Sequence, residues 1–176
     1  FRVALDDGHT LVGTVHPEYM EGTNSELVAR LLDLKRAYKQ LGLDPADVSI
    51  AIFALLDENG EWAFYESLVL GFGARSAVLG FNLAARAIRH LANVGLALPV
   101  TNYFDDFAQI DPRCLASSAA KSFEDLLKLL GWTFKEGEHL LPHALVFEPL
   151  GVRMDFSNPG ELVVSNRSRR QEGILA

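Results

Sequence analysis

Residues 101–110, TNYFDDFAQI, set two carboxylates side by side, Asp105 and Asp106, in a stretch that is otherwise apolar and aromatic. Asp and Asn favour turns, whereas Phe, Tyr, Val and Ile favour strands. LALPVTNYF and DFAQI therefore read as two short strands with the acidic pair at or near the bend. Such a tip is either an ordinary acidic loop or a metal site. Hard divalent cations need several oxygen ligands. Sites that hold two of them for phosphoryl transfer, about 3.5–4 Å apart, draw carboxylates from more than one element. The upstream candidate is Asp33 in RLLDLKRAY, preceded by Leu31 and Leu32 and followed five residues on by Tyr38. The plain alternative for Asp33 is a helix cap or a solvated helix face. Between the acidic sites lies LGFGARSAVLGF (70–81), where Gly71 and Gly73 permit close backbone approach just before a helix. That turn can cradle a nucleotide or simply connect a strand to a helix.

The elements that must position these residues alternate along the chain. SELVARLLDLKRAYKQLGL (25–43) has apolar residues at roughly helical spacing. VSIAIFALL and WAFYESLVL are β-rich runs separated by DENGE, a hairpin signal. AVLGFNLAARAIRHLANVG reads as a helix ending at Gly95, and the stretch from about Ser117 to Leu130 as a second one. HALVFEPLGVRMDF reads as two strands around EPLG, and the tail SNRSRRQEGILA as a loose basic segment. Residues 1–25 are rich in turn formers and give no clear element. The interleaving predicts an α+β domain, with helices packed on one face of a mainly antiparallel sheet.

Bulk properties fit one globular unit: 176 residues, 49% of them apolar, with a mean hydropathy of +0.12. A formal net charge of −7 counts against a stand-alone nucleic-acid binder. Cys114 is the only cysteine, so no disulfide framework or cysteine-based zinc site forms within the chain. No apolar run reaches the roughly 18 residues of a membrane span, and no membrane partner is expected. The opening FRVALDDGHT looks like the interior of a domain, so a trimmed boundary is expected.

The order of the motifs carries more than any one of them. An Asp with an aromatic residue at plus five, a hairpin, an aromatic–glycine turn entering a helix, and then Tyr-x-Asp-Asp resemble the palm domain of reverse transcriptases. The resemblance covers about residues 29–157 and is closest in flavour to retrotransposon polymerases of the tyrosine-recombinase type. LDLKRAYKQL resembles the first palm motif, LGFGARSAVLGF the template- and nucleotide-contacting motif, and NYFDDF the Tyr-x-Asp-Asp motif. LLGWTF and FEPLGVRMD resemble the two that follow, the latter a primer-grip hairpin. The resemblance implies a polymerase palm over 29–157, a partial fingers or lead-in segment over 1–28, and a loose C-terminal segment over 158–176. It also implies that the residues before Asp33 form a strand rather than the helix read from periodicity, with Asp33 across from the acidic hairpin.

By the same resemblance, Asp33, Asp105 and Asp106 are the catalytic and metal-binding residues. They would hold two Mg²⁺, with Mn²⁺ as a substitute. Leu34 (through its backbone carbonyl), Tyr38, Phe72, Gly73 and Tyr103 would contact the nucleotide, with Tyr38 as the gate against a ribose 2′-hydroxyl. Lys35 and Arg36 could meet the triphosphate or simply be solvated charges beside a turn. Implied partners are a primed RNA or DNA template and deoxynucleoside triphosphates, with fingers, thumb and an RNase H region in a longer polyprotein. The chain departs from the pattern in two places. Gly71 stands where proline is usual, and the lysine of the fourth motif is displaced: either Lys135 or His139 serves as leaving-group proton donor, or that step is impaired. Three alternatives remain: a catalytically silent descendant acting as a binding module or surviving as a relic, an RNA-dependent RNA polymerase, and an unrelated metal-dependent transferase.

Overall fold

Residues 2–4, 10–12, 26–71, 73–137, 140–158 and 161–166 are described by this computed structural model. The elements in chain order are β1 (Arg2–Ala4), β2 (Thr10–Val12), β3 (Leu27–Asp33), β4 (Ile52–Leu56), β5 (Trp62–Glu66), α1 (Arg75–His90), β6 (Val100–Tyr103), β7 (Asp106–Pro112), α2 (Ala116–Leu129), β8 (Val146–Phe147), β9 (Val152–Asp155) and β10 (Val163–Asn166). Short 3₁₀ turns follow β3 and precede β4, and a π-turn over Leu91–Gly95 closes α1. The molecule is α+β and every strand pairing is antiparallel.

The central sheet has the order β3–β7–β6. Side chains alternate across a strand, and both faces of this sheet are covered. Leu32, Val100 and Phe107 join a core with Phe81, Ala85 and Ile88 of α1 and Phe123 and Leu127 of α2. The Phe107 and Phe123 ring centroids lie 5.6 Å apart. Ala29 and Ala108 on the opposite face pack with Phe147 and Phe156, around the β8–β9–β10 sheet. Both helices thus lie on one face, as the interleaving predicts. Alanines at 77, 85, 116 and 119 are buried in the helix faces, so the helices approach the sheet closely.

Two expectations are corrected. Residues 25–43 do not form the helix read from their spacing: Leu27–Asp33 is a strand, followed by a 3₁₀ turn over Ala37–Gln40. A strand buried on both faces carries a near-continuous apolar run, and here that run mimics a helical pattern. The segment 158–176 is not loose throughout, because Val163–Asn166 pairs with Val152–Asp155; residues 167–176 lie outside the described ones. The β4–β5 hairpin and the β8–β9 pair stand where the sequence places them. The β4–β5 ribbon exposes Ile52, Phe53, Leu55, Leu56, Trp62, Phe64 and Tyr65.

Candidate functional site

Register alone brings the acidic residues together. Asp33 ends β3 directly opposite Asp106, which opens β7, and Asp106 is in turn opposite Tyr103, which ends β6. Directly opposite residues share a sheet face, with Cβ atoms about 4.5–5.5 Å apart. Asp33, Asp106 and Tyr103 therefore form a row across one end of the sheet. Phe104 and Asp105 make the two-residue turn between β6 and β7. Phe104 takes φ 50°, a left-handed conformation uncommon for an aromatic residue. The Asn102 side-chain amide donates to the Phe104 carbonyl at 3.2 Å and steadies the turn. The Asp105 carbonyl accepts from the Leu34 N–H at 3.4 Å, tying the turn to the end of β3.

The electrostatics follow from this crowding. Burial, then Asp33, then Asp105 push the Asp106 carboxyl above the usual range, and Lys135 opposes that rise. Lys135 is ion-paired with Asp33, and its ammonium is held protonated above the ordinary lysine range by that contact and by the fields of Asp106 and Asp105. It reaches Asp33 because 133–135 runs alongside the end of β3. Lys35 N–H donates to the Thr133 carbonyl at 3.0 Å, and Lys135 N–H to the Asp33 carbonyl at 3.0 Å. The Gln40 amide clamps the two segments by donating to Lys35 and Thr133 carbonyls at 2.7 and 2.8 Å while accepting from Thr133 N–H at 2.7 Å.

Tyr38 sits in the 3₁₀ turn, is 7% exposed, and stacks on Phe81 with centroids 4.5 Å apart. Burial, and secondarily Asp105, raise its hydroxyl pKa. Leu34 is buried and bridges Phe134. Gly73 has φ 94°, a conformation glycine adopts without strain, in the turn before α1; a Cβ there would meet open space, so the backbone angle rather than crowding calls for glycine. Phe72 and His139 lie outside the described residues. Lys35 and Arg36 line a cavity that none of the three aspartates lines.

Two clusters escaped the sequence reading. Arg30, 3% exposed, donates from Nε to Gln109 Oε1 at 3.0 Å, from Nη1 to Glu124 Oε1 at 2.6 Å and from Nη2 to the Ala120 carbonyl at 3.0 Å. His143 Nε2 lies 2.8 Å from Asp111 Oδ2, with both side chains buried. A charged residue inside an apolar strand run was the only available signal for the first.

Among the described residues no three His, Cys, Asp or Glu side chains stand ready to ligate one ion. The donor set nevertheless suits a hard cation: Asp106 lies within electrostatic reach of both Asp33 and Asp105, and Asp33 is already neutralised by an ammonium. Replacing Asp106 with Asn tests the crowding. A carboxyl with a raised folded-state pKa destabilises the fold as pH rises through the carboxylate range, so Asp106→Asn is expected to raise Tm at pH 7 without added metal. That gain should shrink as pH falls towards 4. A Tm loss at pH 7 that is independent of pH would contradict it.

The chain matches no protein-family model and no curated protein.

Proposed function

We propose that this chain is the catalytic palm of an RNA-directed DNA polymerase. The observation that carries the reading is the direct pairing of Asp33 with Asp106 across β3 and β7, with Asp105 in the adjoining turn. Supporting it is the motif order: Asp33 and Tyr38, the Gly73 turn into α1, and Tyr103-Phe-Asp105-Asp106 on a hairpin. Asp33 and Asp105 would hold two Mg²⁺, with Asp106 as a further ligand or electrostatic partner. Such ions, when bound, would supply charge neutralisation for the triphosphate and ease deprotonation of the primer 3′-hydroxyl. Lys135 must release Asp33 for this. A lysine freed beside the carboxylates would be a candidate to give a proton to the leaving pyrophosphate.

The protein expressed from its full open reading frame is expected to extend a primer on an RNA template with deoxynucleotides and Mg²⁺. Absence of extension on RNA and DNA templates alike would reject the reading. Tyr38→Ala is expected to admit ribonucleotides, whereas Tyr38→Phe, which keeps the ring, should not. Truncating so buried a ring costs about 3–5 kcal/mol, so selectivity is compared at matched folded fraction. Unchanged sugar discrimination in folded Tyr38→Ala would remove the gate role.

A further inference from the structure

Helix α1 carries apolar residues on both sides. Its inner face buries Ala77, Phe81, Ala85 and Ile88 in the core. A surface helix normally turns a polar face outward, yet Leu79 and Leu83 are 66% and 73% exposed. Leu79, Leu83, Arg86 and His90 recur at i, i+4, i+7 and i+11 and so share one outer stripe. Exposed Leu91 and Val94, in the π-turn that closes the helix, continue the apolar surface. Exposed Ser76, Gly80 and Ala87 flank the stripe on one side. A Cβ at Gly80 would meet only Leu70 Cδ1 at 3.8 Å, an ordinary contact, so no described residue calls for glycine there. Glycine is nonetheless the poorest interior helix former after proline. The charge is one-sided as well. From Ser67 to Phe104 the chain has no Asp or Glu, although its net charge is −7. Arg86 and Arg89 make no ion pair with any described residue.

We propose that the outer face of α1 docks an acidic amphipathic helix of a partner protein. The exposed leucines call for apolar cover, which a phosphate backbone does not supply. The arginines call for carboxylates, which match the guanidinium fork. The small residues on the other flank let a second helix lie close, at the short end of the roughly 8–10 Å interaxial range. A lipid surface has no need of them. Charge argues against a second copy of the chain. Pairing α1 with itself about a twofold axis sets the same patch on both sides, and that patch carries arginines with no acidic residue to meet them. No residue of this face takes part in the polymerase reading.

The probe is a synthetic helical peptide of about 18 residues, with a leucine stripe flanked by glutamates. Its control has lysines in place of the glutamates. Fluorescence anisotropy should show saturable binding of the glutamate peptide at about 100 µM or tighter, and binding of the lysine peptide at least about tenfold weaker. Leu79→Ser combined with Leu83→Ser should weaken the glutamate peptide by about tenfold or more. Arg86→Glu combined with Arg89→Glu should weaken it similarly and strengthen the lysine peptide, a reversal that no folding defect produces. Gly80→Ala should hold or raise Tm, because alanine favours helix, yet weaken the peptide. All variants should keep the circular dichroism of the parent. No saturable binding at about 1 mM peptide, equal affinity for the two peptides, or undiminished affinity in the double leucine variant would overturn the proposal. So would tighter binding of phosphatidylserine vesicles or of a single-stranded oligonucleotide that the double arginine variant loses. Self-association of the chain in sedimentation that the double leucine variant loses would overturn it too. These measurements involve no metal, template or turnover, so their outcome is independent of polymerase activity.

Discussion

Asp105→Asn is expected to abolish primer extension, lowering the rate by on the order of 10²–10³-fold or more, the scale of losing a preorganised charge at a reacting centre. The substitution keeps the side chain's shape. The bond that ties the turn to β3 uses the Asp105 backbone carbonyl, so it survives. Removing one carboxylate also lessens the repulsion acting on Asp106. The variant should therefore fold at least as well as the parent, and loss of activity would report chemistry rather than unfolding. Mg²⁺ adds a second readout, since a ligand that binds only the folded state raises Tm. That rise should be present in the parent and diminished in Asp105→Asn. Extension at the parent's rate would remove the acidic centre from the mechanism.

The second large effect is on stability. Arg30 and Gln109 are cross-strand partners on β3 and β7, and the guanidinium links them to Glu124 and the Ala120 carbonyl of α2. Gln109 is fully buried and its Nε2 has no partner among the described residues. Arg30→Ala would leave its Oε1 unpaired as well and take the partner from the partly exposed Glu124 carboxylate. Breaking a fully buried pair from one side costs about 3–5 kcal/mol; Glu124 keeps some contact with water, so a loss of about 2–3 kcal/mol is expected. Denaturant unfolding should show that loss as a lower midpoint at unchanged slope. Arg30→Met combined with Glu124→Leu and Gln109→Leu should recover much of it, because no polar group is then left without a partner. A loss below about 1 kcal/mol in Arg30→Ala would show the network to be dispensable, since that is within the range of an ordinary substitution.

How far the sequence speaks depends on how local each signal is. The turn-flanked runs at 52–66 and the helices near 75–90 and 116–129 were legible because their patterns are complete within a few residues. The acidic hairpin was legible for the same reason. β3 was not. LVARLLD has apolar residues where a helix needs them, and only the helices on one face and the β8–β9 side on the other make it a strand. The motif order supplied the strand that periodicity missed. The Asp33–Lys135 pair was hidden differently. Its members are 102 residues apart, and the clamp that unites them is made by Gln40, an unremarked residue on a turn. Arg30 looked like an interruption in an apolar run until Gln109 and Glu124 stood beside it.

That 102-residue separation bears on how the protein is made. A ribosome adds about 5–20 residues per second, so Lys135 is synthesised roughly 5–20 s after Asp33. Through most of that interval the nascent β3 has neither β7 to pair with nor α2 to cover it. A segment whose own pattern favours helix waits, uncommitted, for partners that are still being translated. The acidic centre therefore cannot be completed before residue 135 has been made, and any pause in synthesis between the two prolongs the exposure of Leu31 and Leu32 to other chains.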